Sequence, residues 1–99
     1  MEALICYEDE VVIKKITVSG VRDVLGNAKY TQRVIIPYDG HRICVWYNER
    51  GKGKERKIKL HDGEIIVIRG AFIVVHEEYG AYDDITIEDI GVVMLAVED

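Results

Sequence analysis

The sequence predicts an all-β fold: a single small antiparallel barrel or two-sheet sandwich of about eight or nine short strands. Three observations predict it. Asp39-Gly40 and Asp62-Gly63 stand between apolar runs, where Asp-Gly is the strongest short-range hairpin signal. β-branched and aromatic residues crowd the segments between turns. No stretch of about ten residues shows an apolar period of 3.6, so at most one short helical turn is expected, near residues 21–26.

Taken in order, residues 3–7 read as a strand, Glu8-Asp9-Glu10 as an acidic turn and residues 11–19 as a second strand. Val21, Val24 and Leu25 have helical spacing, and Gly26 or Asn27 would end that turn. Residues 30–36 form a strand that Pro37 should stop, since proline cannot donate to a ladder. Residues 42–48 and 56–60 alternate with period two around a loop carrying Gly51 and Gly53, which reads as a hairpin. Centring the loop puts Tyr47 opposite Ile58 and Val45 opposite Leu60, with Trp46 beside Lys59 on the other face. After His61-Asp62-Gly63 come two continuous apolar runs, Ile65–Ile68 and Phe72–Val75, which need cover on both faces from a second sheet, a closed barrel or a partner subunit. Residues 77–84 read as an acidic loop, 85–90 as a strand or a single turn capped at Thr86, and 92–97 as a closing strand before Glu98-Asp99.

Ninety-nine residues and a 48% apolar content suit one domain, residues 1–99, with a core that needs no metal or disulfide. No apolar run approaches the roughly 18 residues that cross a bilayer, and the start Met1-Glu2-Ala3-Leu4 lacks a basic leader, so no membrane role and a cytoplasmic location are expected. Cys6 and Cys44 are expected to be buried, reduced thiols.

Charge is segregated along the chain. All 13 Lys and Arg lie between Lys14 and Arg69 with six of the 18 acids, so that interval carries +7 and the two flanks together −12. Arg50, Lys52, Lys54, Arg56, Lys57 and Lys59 fall within ten residues. Like charges so close repel one another, and folding alone does not ask for them. They are candidate binding residues, with Trp46 available for stacking. Glu77, Glu78, Tyr79, Tyr82, Asp83 and Asp84 are the complementary candidates, an acidic surface with wet aromatics on which such a hairpin could dock.

Catalytic and metal signatures are absent. His41 and Cys44 have His-x-x-Cys spacing but no second pair to match, so no metal site is expected. Cys44 with His61, and the pairs Asp83-Asp84 and Glu88-Asp89, are chance-level arrangements. Gly51-Lys52-Gly53-Lys54 lacks the Walker spacing and the helix that would follow it. The expected function is a non-enzymatic β-rich assembly module without cofactor. It would self-associate or dock a protein through residues 50–59 against 77–84, in the manner of small structural subunits of viral or other multimeric particles. One alternative is a nucleic-acid or nucleotide binder or sequestering protein using the same cations. Another is an acidic inhibitor whose flanks mimic a nucleic-acid backbone.

Overall fold

The structure, a computed structural model, describes residues 1–26, 28–60 and 62–98. Asn27, expected as a helix stop, His61, expected as a turn residue or base, and Asp99, expected in a charged end, lie outside the described residues. The chain is mostly β rather than all-β, with 51% of residues in strands and 21% in helices. Its elements are β1 (Glu2–Cys6), β2 (Val11–Lys15), α1 (Val18–Leu25), a 3-10 turn (Ala28–Tyr30), β3 (Thr31–Tyr38), β4 (His41–Asn48), β5 (Glu55–Lys59), β6 (Ile65–Arg69), β7 (Phe72–Glu78), β8 (Ala81–Asp83), α2 (Ile87–Ala96) and β9 (Val97–Glu98).

Two antiparallel sheets result. The larger has the order β2-β1-β7-β4-β3, with β8 paired to the far end of β7; the smaller is β6-β5-β9. Among the described residues neither closes into a barrel. One face of the large sheet, with Leu4, Cys6, Ile36, Ile43, Val45, Phe72 and Val74, packs on Ile58, Leu60 and Ile68 of the small sheet and on Val93 of α2. The opposite face, with Ala3, Ile5, Cys44, Ile73 and Val75, is covered by Val21 and Leu25 of α1. The run Phe72–Val75 is therefore buried on both sides by its own chain. The run Ile65–Ile68 is not: Ile65 and Val67 face outward and are exposed.

The expected hairpin of residues 42–60 does not form. β4 pairs with β3 and β7, whereas β5 pairs with β6 and β9. Residues 49–54 are instead a crossover between sheets. Alternation correctly marked both arms as strands, but it is silent on which strands are neighbours, and β4 already has partners on both sides. The crossover is held close. A side chain at Gly51 would put its Cβ 2.1 Å from the Arg69 carbonyl oxygen, and Gly70, at φ 88°, lies against the Lys52 backbone.

The strand or Thr86-capped turn expected over 85–90 and the strand expected over 92–97 are instead one helix. Thr86 and Asp89 form a full capping box, and residues 87–96 continue from it. Asp89, Ile90, Val93 and Ala96 recur at helical spacing toward the core, but an unbroken apolar run hides that period in the sequence. Burial outweighs the weak helix propensity of the valines and Gly91. α1 is likewise longer than expected, starting at Val18 behind its Thr17 cap, so β2 stops at Lys15. Pro37 does not end its strand, because β3 is a sheet edge where a missing N–H costs little. The Asp39-Gly40 hairpin forms as expected, with φ of 44° and 78° suiting a type I′ turn.

Candidate functional site

The six clustered cations do not act as one group. Arg56 points inward and is buried. Its guanidinium donates to the carbonyls of Tyr7 at 3.0 Å, Cys6 at 3.2 Å and Gly70 at 2.5 Å, and lies over the Phe72 ring. Arg50 stacks on Tyr30 with its guanidinium carbon 4.2 Å from the ring centre. Lys57 and Lys59 project from β5 on the outer face, opposite Val67 and Ile65. Lys52 lines a cleft of about 300 Å³ with Arg50 and Arg69, and Arg69 also pairs with Glu55 at 3.2 Å. Lys54 lines a neighbouring cleft with Glu8, Asp9 and Glu10. Trp46 is on the other sheet, packed edge-on to Tyr82 and under Arg33, so the expected lysine–tryptophan face is absent.

Residues 77–84 form a hairpin rather than a loop. It turns at Tyr79-Gly80, with φ of 50° and 80°. Glu77 is buried between Arg33 and Arg42 on the α1 side of the sheet. Tyr82 accepts a hydrogen bond from Arg33 at 2.8 Å. Only Tyr79 of the two tyrosines is fully exposed. Asp84 accepts from the Glu2 amide. This hairpin and the basic crossover sit at opposite ends of β4 and β7, roughly 20 Å apart at the rise of a seven-residue strand, so they can meet only between copies.

A polar cleft at the hairpin end brings together residues that spacing alone did not connect. Tyr38, His41, His76 and Glu78 share the sheet face that α2 covers, because each keeps the parity of its strand's core residues Ile36, Ile43 and Val74. The first turn of α2 adds Asp89. The Tyr38 hydroxyl donates to Asp89 Oδ1, and Asp89 Oδ2 is 2.7 Å from His76 Nδ1. His76 Nε2 lies 3.2 Å from Glu78 Oε2, and Glu78 Oε1 lies 2.9 Å from His41 Nδ1. Asp89 also accepts from the Thr86 amide at 2.9 Å.

The charges follow from these contacts. Burial opposes the imidazolium of His76, but Glu78 and Asp89 outweigh it and hold its pKa above the ordinary value. Burial likewise opposes the Asp89 carboxylate, yet donors from Tyr38 and Thr86 pull its pKa below normal. Hydrogen bonds from His41 and His76 lower that of Glu78. The cleft encloses about 610 Å³ and is rimmed by Asp39, Asp83, Asp84 and Glu88. Chemically it offers two imidazoles, one carboxylate between them, and a buried carboxylate behind.

His41 and Cys44, the pair weighed for zinc, face opposite sides of the large sheet. Cys6 and Cys44 are also on opposite faces, so no bridge can join them, and burial pushes both thiols up to about 11. The missed signal was His76-x-Glu78, two positions apart on a strand and hence on one face. Among the described residues no helix is long and apolar enough to cross a membrane. Comparison with family models, with characterised proteins and with solved structures returns no match, so what the chain does is read from its own geometry.

Proposed function

We propose that the protein is a non-enzymatic interaction module that self-associates through the outer side of the layer built from the small sheet and α2. One observation carries this reading. Ile65 and Val67 of β6, and Ile87, Met94 and Leu95 of α2, are 42–89% exposed. β9 continues directly from α2 and pairs with β5, and both parts pack on the same face of the large sheet, so their solvent faces point the same way. Ile87, Gly91, Met94 and Leu95 form one helical stripe. An apolar surface of this kind marks an interface more often than a solvated face.

A second copy suits this surface. Its small-sheet half carries Lys57 and Lys59 among the apolar side chains, with Glu98 of β9 opposite Lys57; its α2 half carries Glu88. A two-fold contact would set each half on the other half of the partner, which is the self-complementarity an isologous interface needs. Light scattering after size exclusion, from low micromolar to near-millimolar protein, tests this. A dimer is expected, and Leu95→Glu with Val67→Glu should give a monomer of unchanged circular dichroism. A wild-type monomer throughout the range overturns the reading.

A second reading has its own observation, the convergence of Arg50, Lys52 and Arg69 on one cleft. Such a cleft suits a phosphate-bearing nucleotide or a nucleic-acid backbone. Titration with single-stranded RNA, DNA and nucleotides at two salt concentrations should show binding that weakens with salt. Arg50→Glu with Lys52→Glu should flatten the salt slope by about two. Absence of binding at low salt removes this reading.

A further inference from the structure

We propose that His41, His76 and Glu78 form a binding site for one divalent first-row transition-metal ion of the zinc kind. The site is independent of the self-association surface. Its donor atoms, two imidazole nitrogens and a carboxylate oxygen, lie within 4.8 Å of one another. That donor set is the one zinc takes where protein supplies three ligands and water the fourth.

The spacing is close to what ligation needs. A tetrahedral zinc with bonds of roughly 2.0–2.1 Å keeps its ligand atoms about 3.3 Å apart. Glu78 already holds His41 Nδ1 at 2.9 Å through Oε1 and His76 Nε2 at 3.2 Å through Oε2. The remaining spacing, at most 4.8 Å, would close by small turns of the His41 and Glu78 side chains, which are 48% and 33% exposed.

The shell behind the donors is in place. Asp89 accepts from His76 Nδ1, which leaves Nε2, on the Glu78 side, as the nitrogen that would ligate. Asp89 is itself fully buried and fixed by Tyr38 and by the Thr86 amide. A carboxylate held this way orients a ligating imidazole and raises its basicity. Outside the donors, Asp39, Asp83, Asp84 and Glu88 make the cleft negative, which concentrates cations there. The cleft also leaves room for water or a small ligand at the fourth position.

A purely structural network would account for Tyr38, Asp89 and His76, since they close the junction between α2 and the large sheet. It does not account for His41 and Glu78. They sit at the surface, where a paired histidine and carboxylate contribute little stability. Two imidazoles also discriminate among ions: calcium and magnesium prefer oxygen ligands throughout, so a carboxylate rim alone would favour them and this donor set does not.

Isothermal titration of the chelator-treated full chain with zinc chloride tests the site, with calcium and magnesium chlorides as comparators. One zinc per chain is expected, and no calcium or magnesium at the same concentrations. His41→Ala and Glu78→Gln should each weaken zinc by about tenfold or more. Both residues are at the surface, so circular dichroism of the variants should match wild type. Cobalt substituted for zinc should give visible bands of a tetrahedral site without thiolate charge transfer, which separates this site from adventitious binding at Cys6 or Cys44. Asp89→Asn should weaken zinc by about 10–100-fold; if that variant does not fold, the His41 and Glu78 variants decide. No zinc uptake, calcium preference, or undiminished zinc affinity in both surface variants overturns the site.

Discussion

Replacing Asp89 with alanine is expected to destabilise the protein by about 3–5 kcal/mol, the cost of breaking a buried charge pair by removing one partner. Asp89 is fully buried, yet it serves four groups at once. It accepts from the Tyr38 hydroxyl, the His76 ring and the Thr86 amide, and its own amide donates to Thr86 Oγ1. Alanine leaves the last contact alone. Only the Asp89 half of the capping box is lost, a part of the roughly 0.5–2 kcal/mol that a whole N-cap contributes. The larger share comes from His76, whose buried Nδ1 loses its partner and whose burial cost is then offset by Glu78 alone. Urea unfolding followed by circular dichroism measures the change. A shift under about 1 kcal/mol would mean the cap acts alone and the network contributes nothing.

Arg56→Met should cost about 2–4 kcal/mol, because it leaves buried carbonyls without donors at roughly 1–3 kcal/mol for such groups. The three carbonyls come from Cys6, the last residue of β1, from Tyr7 just after it, and from Gly70, between β6 and β7. Arg56 itself stands on β5, so one guanidinium fastens the small sheet to the large one. Methionine keeps the packing against Phe72 and removes only the donors. Arg56→Lys should recover little of the loss, since a point charge cannot span three acceptors as the planar fork does. Urea midpoints for both variants, at unchanged slope, give the comparison. Wild-type stability in Arg56→Met would show that water satisfies those carbonyls. This inward role is also why Arg56 is lost to any outside partner.

Much of the strand content was legible. Alternation located β4 and β5, and apolar or β-branched content located β1, β3 and β7, within one to three residues, and Asp39-Gly40 marked its hairpin because that dipeptide tolerates positive φ. Pairing was not legible. β4 lies between β3, its neighbour in sequence, and β7, which begins well downstream, and no local pattern carries that choice. α2 was hidden by its composition: residues 90–97 are so uniformly apolar that neither period stands out, and only Thr86 with Asp89 betrayed a helix start. The cleft escaped for a related reason. His41, His76, Glu78 and Asp89 come from three elements, so their meeting depends on the very pairings that local reasoning cannot supply.

The position of β7 has a consequence for how the chain reaches this state. It alone joins the β1–β2 pair to the β3–β4 pair, by the ladders Leu4↔Val74 and Val45↔Val74. Until Val74 leaves the ribosome, those two hairpins have no shared ladder to bind them. A chain cut short before Phe72 would hold two bare hairpins with no ladder between them.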